Sequence, residues 1–106
     1  MSLLLVLTNA TPGDEAEFNR WYQEVHLKEV LEVPGFVAAQ RFELTDAQLG
    51  DAERPYRYLA IYEVDGDPDL AFKNLLASSP KMNMSETLDP NAFTSHFTPI
   101  GERLEV

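Results

Sequence analysis

His26 and Glu29 are the two residues of this sequence whose types and spacing could do chemistry together. They lie three positions apart in the stretch FNRWYQEVHLKEVLEVPGF, residues 18–36, and side chains at that spacing meet on a helix. A carboxylate fixes the tautomer of a neighbouring imidazole and raises its basicity, so the other ring nitrogen takes or gives a proton near neutral pH. The pair predicts acid and base chemistry, with His26 and Glu29 as candidate catalytic residues.

The helix that carries this pair has an apolar side. At about 100° per residue, one stripe collects the following side chains: Phe18, Trp21, Tyr22, Val25, Val30 and Val33. His26 falls at the edge of the stripe and Glu29 near its middle, so a buried Glu29 would need a partner, either His26 or Arg41 on the next strand. Trp21 and Tyr22 are candidate substrate contacts, although aromatic residues at helical spacing also simply pack in cores.

Start and stop signals place the other elements. Residues 3–8 form an apolar run that is typical of a strand covered on both faces. A helix is expected from Thr11 as N-cap, followed by Pro12, to about Val33, because Pro34 and Gly35 form a stop signal. Further along, the sequence predicts strands at 36–45 and 56–64, a helix from Asp67 and Pro68 to Pro80, a loop at 80–91 that could be a lid, and a last strand at about 93–104.

This order of elements predicts an α+β fold, the ferredoxin-like βαββαβ arrangement with a four-stranded antiparallel sheet, in one domain over residues 1–106. The third strand is apolar on both faces: one face carries Tyr58 and Tyr62, which are candidate substrate contacts, and the other carries Leu59 and Ile61. Two helices cover only one face of a sheet. The other face therefore predicts a homodimer in which a second copy packs on it.

Composition excludes several classes of partner and site. Eighteen acidic residues against eight basic ones give a net charge of −10, which disfavours nucleic acid and anionic membranes as partners. The apolar run LLLVL is too short for a signal peptide or a membrane span, and the absence of cysteine fits a cytoplasmic location. Two histidines on separate elements show no metal-ligand spacing. No metal and no bound cofactor are expected.

The region around the pair resembles a known family. The residues that carry the resemblance run from Trp21, Tyr22, Glu24, Val25, His26, Glu29, Val30 and Leu31 to Val33, Pro34, Gly35 and Phe36, and then to Ala39, Gln40, Arg41 and Phe42. This pattern is similar to the EthD-like branch of the dimeric α+β barrel superfamily. The resemblance implies a homodimeric barrel with a small-molecule pocket between helices and sheet, in which a histidine handles protons; His26 matches that position.

The resemblance leaves the reaction open. The superfamily includes cofactor-independent monooxygenases, isomerases, dehydratases and cyclases of polyketide-type substrates, so the leading hypothesis is a small cofactor-independent enzyme acting on a hydrophobic aromatic or polyketide-like molecule. Its substrate contacts would be Trp21, Tyr22, Arg41, Tyr58 and Tyr62. The alternative is a noncatalytic homodimer that binds a small ligand. A third hypothesis is haem binding through His26 or His96.

Overall fold

The structure, a computed structural model, describes all residues from 1 to 106. Its elements in chain order are β1 Ser2–Thr8, the continuous helix α1 with the segments Glu15–Trp21, Tyr22–His26 and Leu27–Leu31, β2 Phe36–Glu43, β3 Tyr58–Val64, α2 Pro68–Ser78 and β4 Phe93–Phe97. The strands form one antiparallel sheet in the order β2-β3-β1-β4. The predicted ferredoxin-like α+β fold is confirmed.

Helix α1 begins one turn later than predicted. Gly13 has a φ of 89°, a left-handed conformation that interrupts a helix, so the first helical residue is Glu15 and the residue before it is Asp14. Thr11 is not the N-cap: its hydroxyl donates to the carbonyl oxygen of Glu86 at 3.2 Å, and its N–H donates to that of Thr87 at 2.7 Å. Thr11 therefore binds the loop at residues 86–87 and does not cap the helix.

The hairpin between β2 and β3 opens earlier than predicted, at Glu43 and Tyr58. Before β3 the side chain of Asn9 forms hydrogen bonds with the backbone. Its Oδ1 accepts from the N–H of Arg57 at 2.8 Å, and its Nδ2 donates to the carbonyl of Pro55 at 2.8 Å. Proline has no N–H to offer a neighbouring strand. The segment 44–57 is therefore a loop that is held at its end by Asn9.

Strand β4 is also shorter than predicted, since it ends at Phe97 and not near 104. Its partner strand β1 starts at Ser2, one residue beyond the pair of Leu3 with Phe97, and Pro99 lacks the N–H that a further ladder bond would require. Ile100 and Leu104 are consequently fully or almost fully exposed.

Helix α2 starts as the sequence predicts. The carboxylate of Asp67 accepts a hydrogen bond from the N–H of Asp69 at 2.9 Å, and Pro68 occupies the first turn. The helix ends at Ser78 and continues as a short 3-10 turn, Ser79–Lys81, around Pro80. None of the helices is both long enough and apolar enough to cross a bilayer.

The core lies between the sheet and the two helices. In β3 the residues alternate between buried and half-buried, and the buried set Tyr58, Ala60, Tyr62 and Val64 faces the helices. The core contains the following buried side chains: Leu4, Phe18, Trp21, Tyr22, Leu27, Val30, Val33, Phe36, Tyr58, Ala60, Tyr62, Val64 and Ala71. Both candidate tyrosines of β3 thus lie on the helix side of the sheet.

The opposite face of the sheet has no cover within the chain and is largely apolar. It carries Leu3, Leu5, Leu7, Phe42, Leu59, Ile61, Phe93 and Phe97, of which both phenylalanines of β4 are more than half exposed. The chain has 7632 Å² of accessible surface, whereas a folded monomer of 12.0 kDa is expected to have about 6,000 Å². We call the side of the sheet that faces away from the helices the open face.

Candidate functional site

A π-helical turn at Tyr22–His26 decides how His26 is placed. The N–H of Leu27 bonds to the carbonyl of Tyr22, five residues back, so this turn holds one residue more than an α-helical turn. The extra residue rotates everything downstream. On a regular wheel Leu27 lies opposite Phe18, yet Leu27 is only 6% exposed. The same rotation carries His26 from the edge of the apolar stripe inward.

His26 packs between two aromatic side chains of its own helix. Its imidazole stacks on the ring of Trp21 at a centroid distance of 4.8 Å and meets the ring of Tyr22 edge-on at 5.0 Å. The side chain of His26 is 14% exposed. Because the ring is held from two sides, its orientation is fixed by packing.

Glu29 faces His26 from one turn further along. Oε1 of Glu29 lies 3.7 Å from Nδ1 of His26, and both atoms are buried without a hydrogen-bond partner. Burial lowers the pKa of His26 below its ordinary value, and the nearby Glu29 carboxylate opposes part of that effect. The sequence predicted a raised basicity from Glu29 alone; the structure shows that desolvation outweighs it, so His26 is neutral at pH 7.

The other carboxylate oxygen of Glu29 holds the loop 80–91. Oε2 accepts from the backbone N–H of Asn83 at 2.7 Å and from its Nδ2 at 3.2 Å, while the indole N–H of Trp21 donates to the carbonyl of Asn83 at 2.6 Å. We call these three bonds the Asn83 latch. The latch joins the loop to Trp21 and Glu29, two of the three residues that surround the imidazole of His26.

The loop is fastened at its far end as well. Ala10 forms a bridge with Leu88, the N–H of Asp89 donates to the carbonyl of Asn9 at 3.0 Å, and Met82 and Leu88 pack against the core. A cavity of about 240 Å³ opens between the loop and the end of α1, where Glu29, Val33 and Met82 are among its lining residues. The loop is therefore held against α1 at Trp21 and Glu29, the neighbours of His26, in this conformation.

The tyrosines lie next to this pair in the core. Tyr22 and Tyr62 are each 2% exposed, and the hydroxyl of Tyr62 donates to that of Tyr22 at 3.3 Å. Burial raises the pKa of both phenols. At neutral pH they are uncharged hydrogen-bonding groups, which leaves His26 as the proton acceptor of the cluster.

Arg41 does not pair with Glu29, contrary to one of the two partners considered from the sequence. Its guanidinium lies over the ring of Tyr22, 4.6 Å from the centroid, and donates from Nη2 to Oδ1 of Asn19 at 2.8 Å. Tyr58 also contacts this group, with its ring centroid 5.6 Å from the guanidinium carbon. The seven predicted site residues thus form two neighbouring groups with Tyr22 in contact with both.

His96 lies away from both groups. It is exposed on β4 and meets the ring of Phe72 edge-on at 5.2 Å. No group of three or more His, Cys, Asp or Glu side chains is placed to hold a metal ion.

Two asparagines complete the site and were missed by the sequence analysis. Asn83 carries no local signal, because its partners Glu29 and Trp21 are 54 and 62 positions away. Asn19 has a weak local signal in the sequence, because asparagine is a poor helix former and occurs here within the first helix, between Phe18 and Trp21.

The charge of Glu29 can be tested through the titration of His26. We expect Glu29→Gln to lower the pKa of His26 further, because the nearby carboxylate is the contribution that opposes burial, while the amide oxygen can still accept from Asn83. The pH dependence of the imidazole NMR signals measures this directly. His96→Gln assigns the two histidines, and an unchanged or raised pKa of His26 would show that Glu29 does not act on the imidazole.

Comparison with known proteins adds the fold family. No protein-family model and no curated protein matches the sequence. Among solved structures, the haem-degrader MhuD from Mycobacterium tuberculosis, with two haems bound in its active site, matches with a TM-score of 0.63 and 16% identity over 97% of this chain and 99% of that chain. SnoaB, a cofactor-independent oxygenase from Streptomyces nogalater, matches in a mutant form with a TM-score of 0.62 and 18% identity over 98% of each chain.

An ethyl tert-butyl ether family (EthD) protein from Bacillus halodurans matches with a TM-score of 0.52 and 15% identity over 98% of this chain and 100% of that chain. At such identities the likeness concerns the fold. The comparisons therefore show that the chain shares the ferredoxin-like α+β fold of these proteins, one of which belongs to the EthD family named from the sequence.

Proposed function

We propose that the chain is a small enzyme of the monooxygenase type that works without a bound cofactor, with His26 as general base towards a hydrophobic aromatic or polyketide-like molecule. The observation that carries the proposal is the buried, neutral imidazole of His26 with the Glu29 carboxylate 3.7 Å behind Nδ1. SnoaB shares the fold and is a cofactor-independent oxygenase, which supports this reaction class over the isomerase, dehydratase and cyclase types.

In this proposal the two ring nitrogens have different tasks. Nδ1 is covered and faces Glu29, so Nε2 is the atom that takes a proton from a substrate C–H or O–H group. Once Nε2 is protonated, the ring is a cation and Nδ1–H becomes a charge-assisted donor towards the carboxylate. Glu29 therefore stabilises the imidazolium that the proton transfer creates.

The electrons left on the substrate would drive the oxygenation. A deprotonated, enolate-like ring system can reduce O2 itself; conversion of a ring CH2 to C=O uses one O2 and releases one water, so no external reductant is needed. The protein supplies the base, aromatic surroundings that exclude water, and a closed loop. The Asn83 latch would open to admit the substrate and close around it.

Turnover is the test of this proposal. Purified protein treated with a chelator is incubated with a panel of fused-ring phenols and their keto tautomers, and O2 uptake and product mass are recorded. We expect at least one compound to be oxidised in proportion to protein concentration. If several compounds bind and none is changed, the enzymatic hypothesis is wrong.

The noncatalytic alternative has one observation in its favour. The imidazole of His26 is packed against Trp21 and Tyr22, and its neighbour Glu29 fastens the loop, so the same residues could serve folding and ligand binding alone. In that case His26→Gln changes the free energy of unfolding and ligand affinity, and no compound of the panel is turned over.

Haem fits the structure poorly. MhuD is a haem degrader, and Nε2 of His26, which would have to hold the iron, belongs to a ring that packs against the buried side chains of Trp21 and Tyr22. His96 lies on the outer strand against Phe72. The proposed mechanism therefore does not involve haem. A sharp Soret band that appears on adding haemin and is lost in His26→Ala would show that His26 does bind haem.

The second part of the proposal is a homodimer formed through the open face. The surface in excess of a folded monomer is roughly 1,600 Å² per chain, and obligate dimers bury ~2,000–5,000 Å² over both partners. Leucines of β1 and phenylalanines of β4 give the open face the apolar character that such an interface has.

A charge in the middle of the open face should separate the two copies. Ile61, which pairs with Leu5 at the centre of the sheet, is replaced by lysine, and we expect the mass in analytical ultracentrifugation to fall from roughly 24 kDa to the single-chain 12.0 kDa, because an unpaired charge at an apolar interface is costly. Leu76→Lys is the control, since Leu76 is 73% exposed on α2. A wild-type mass of 12.0 kDa, or a dimeric Ile61→Lys variant, would disprove the interface.

A further inference from the structure

Arg41 is a half-buried arginine for which the chain provides no carboxylate. Its hydrogen bonds go to neutral acceptors only, the side-chain oxygen of Asn19 at 2.8 Å and the backbone carbonyl of Asn19 at 3.4 Å. Arg20 and Arg57, in contrast, each bind glutamate. Buried or partly buried charges are normally paired, so the guanidinium of Arg41 lacks its counter-ion.

The free donors of Arg41 are held in a fixed plane. A guanidinium has five N–H groups, and two of them bond to Asn19, which leaves three for a ligand. Cation–π contacts with the rings of Tyr22 and Tyr58, at 4.6 and 5.6 Å from the guanidinium carbon to the ring centroids, hold the group against the core. Little conformational entropy remains to be lost when an anion binds.

Tyr58 adds a further donor at the same place. Nδ2 of Asn19 donates to the hydroxyl oxygen of Tyr58 at 3.4 Å, and the hydroxyl proton has no acceptor in the chain. Arg41, Tyr58 and Asn19 line one cavity of about 240 Å³, together with Gln23, Phe42 and Glu43. This volume is smaller than the ~300–1,000 Å³ of pockets for drug-sized ligands, so it suits a single ring.

The local charge favours one negative group, although the chain as a whole carries −10. Glu43 at the cavity wall is neutralised by Arg57, whose Nε lies 2.9 Å from its carboxylate. Arg41 is then the one charged side chain at the cavity that forms no ion pair. A singly charged, planar anion matches this better than a dianion does.

We propose that the cavity at Arg41 binds the carboxylate of a planar aromatic acid, through the guanidinium fork of Arg41 and the hydroxyl of Tyr58, with the ring of the acid against Tyr58. A carboxylate accepts two parallel N–H bonds from such a fork. Tyr22 contacts both Arg41 and His26, so within the proposed function this site would hold the acidic end of the substrate. The binding itself does not depend on turnover.

Binding of benzoate at pH 7 tests the proposal, with benzamide as the neutral isostere and inorganic phosphate as the competing anion. Affinities are measured by NMR chemical shifts in the dimer or monomer that the chain forms. We expect benzoate to bind at least tenfold more tightly than benzamide or phosphate, and Arg41→Gln to lower its affinity at least tenfold. Tyr58→Phe should weaken it less. His26→Gln should leave it unchanged, which separates this proposal from the proposed function.

Arg54→Gln is the matched control, because Arg54 also lacks a carboxylate but donates to the loop carbonyls of Ala52 and Leu49. If Arg41→Gln fails to fold, Arg41→Lys retains the charge without the fork and should still lose affinity. Equal binding of benzoate and benzamide, or of benzoate and phosphate, overturns the proposal. So does a change in oligomeric mass in Arg41→Gln, which would assign Arg41 to a carboxylate of a second copy.

Discussion

Replacing His26 with glutamine is expected to lower kcat by about 10²- to 10⁴-fold, the range of a lost general base. Glutamine keeps a polar planar side chain next to Trp21 but cannot take a proton near neutral pH. The experiment uses a compound identified by the turnover screen and measures kcat and KM separately. Because the contacts of Trp21 and Tyr22 remain, KM should change much less than kcat.

His96→Gln is the control for this experiment, since His96 is exposed on β4 and packs only at its edge against Phe72. Its kcat should equal that of the wild type. A His26→Gln enzyme with unimpaired kcat, or one whose loss of activity follows loss of folded protein in circular dichroism, would remove His26 from the catalytic step and favour the noncatalytic alternative.

The pH dependence of stability should reflect the buried histidine. Because burial lowers the pKa of His26, the imidazole proposed as the base stays neutral down to a pH below the ordinary histidine value of about 6.5. Between the lowered pKa and the ordinary value, the unfolded chain binds a proton that the folded chain does not. The free energy of unfolding therefore falls as the pH decreases through that window. Above the ordinary histidine pKa, His26 is neutral in both states and this loss of stability is absent.

The largest effect on stability is expected from Gly35→Ala, at roughly 2–6 kcal/mol. Gly35 has a φ of 107°, and a Cβ at this position would lie 2.6 Å from Cβ of Ala71 and 3.2 Å from its Cα. Ala71 is 2% exposed within α2, so the whole helix would have to move away from the sheet. Urea unfolding measures the change as a lower midpoint at an unchanged slope.

Gly66→Ala separates backbone strain from the clash. Gly66 has a φ of 78°, but nothing lies within 4 Å of a Cβ built there, so only the strain of roughly 1–3 kcal/mol remains. The pair Gly35→Ala with Ala71→Gly should recover part of the loss, because it removes the contact. If Gly35→Ala costs no more than Gly66→Ala, α2 is not packed as closely on this turn as the structure has it.

Local signals predicted those parts of the fold that depend on neighbours in sequence. The Asp67 and Pro68 start of α2 and the stop at Pro34 and Gly35 rest on contacts within a few residues, and both are found. The Thr11 cap was wrong because its hydroxyl bonds to Glu86, 75 positions away. Strand ends were wrong for a related reason: whether a strand continues depends on a partner, such as Asn9 for residues 55–57.

The sequence by itself determined the order of the elements, the apolar alternation of β3 and the candidate pair His26 and Glu29, because side-chain periodicity and turn residues act over short distances. Only the tertiary structure decided how that pair is used. A π turn at Tyr22–His26 brings the imidazole inward. One carboxylate oxygen of Glu29 faces His26, and the other accepts a hydrogen bond from Asn83. The physical reason is that burial and hydrogen-bond partners are properties of distant segments brought together, which no local pattern contains.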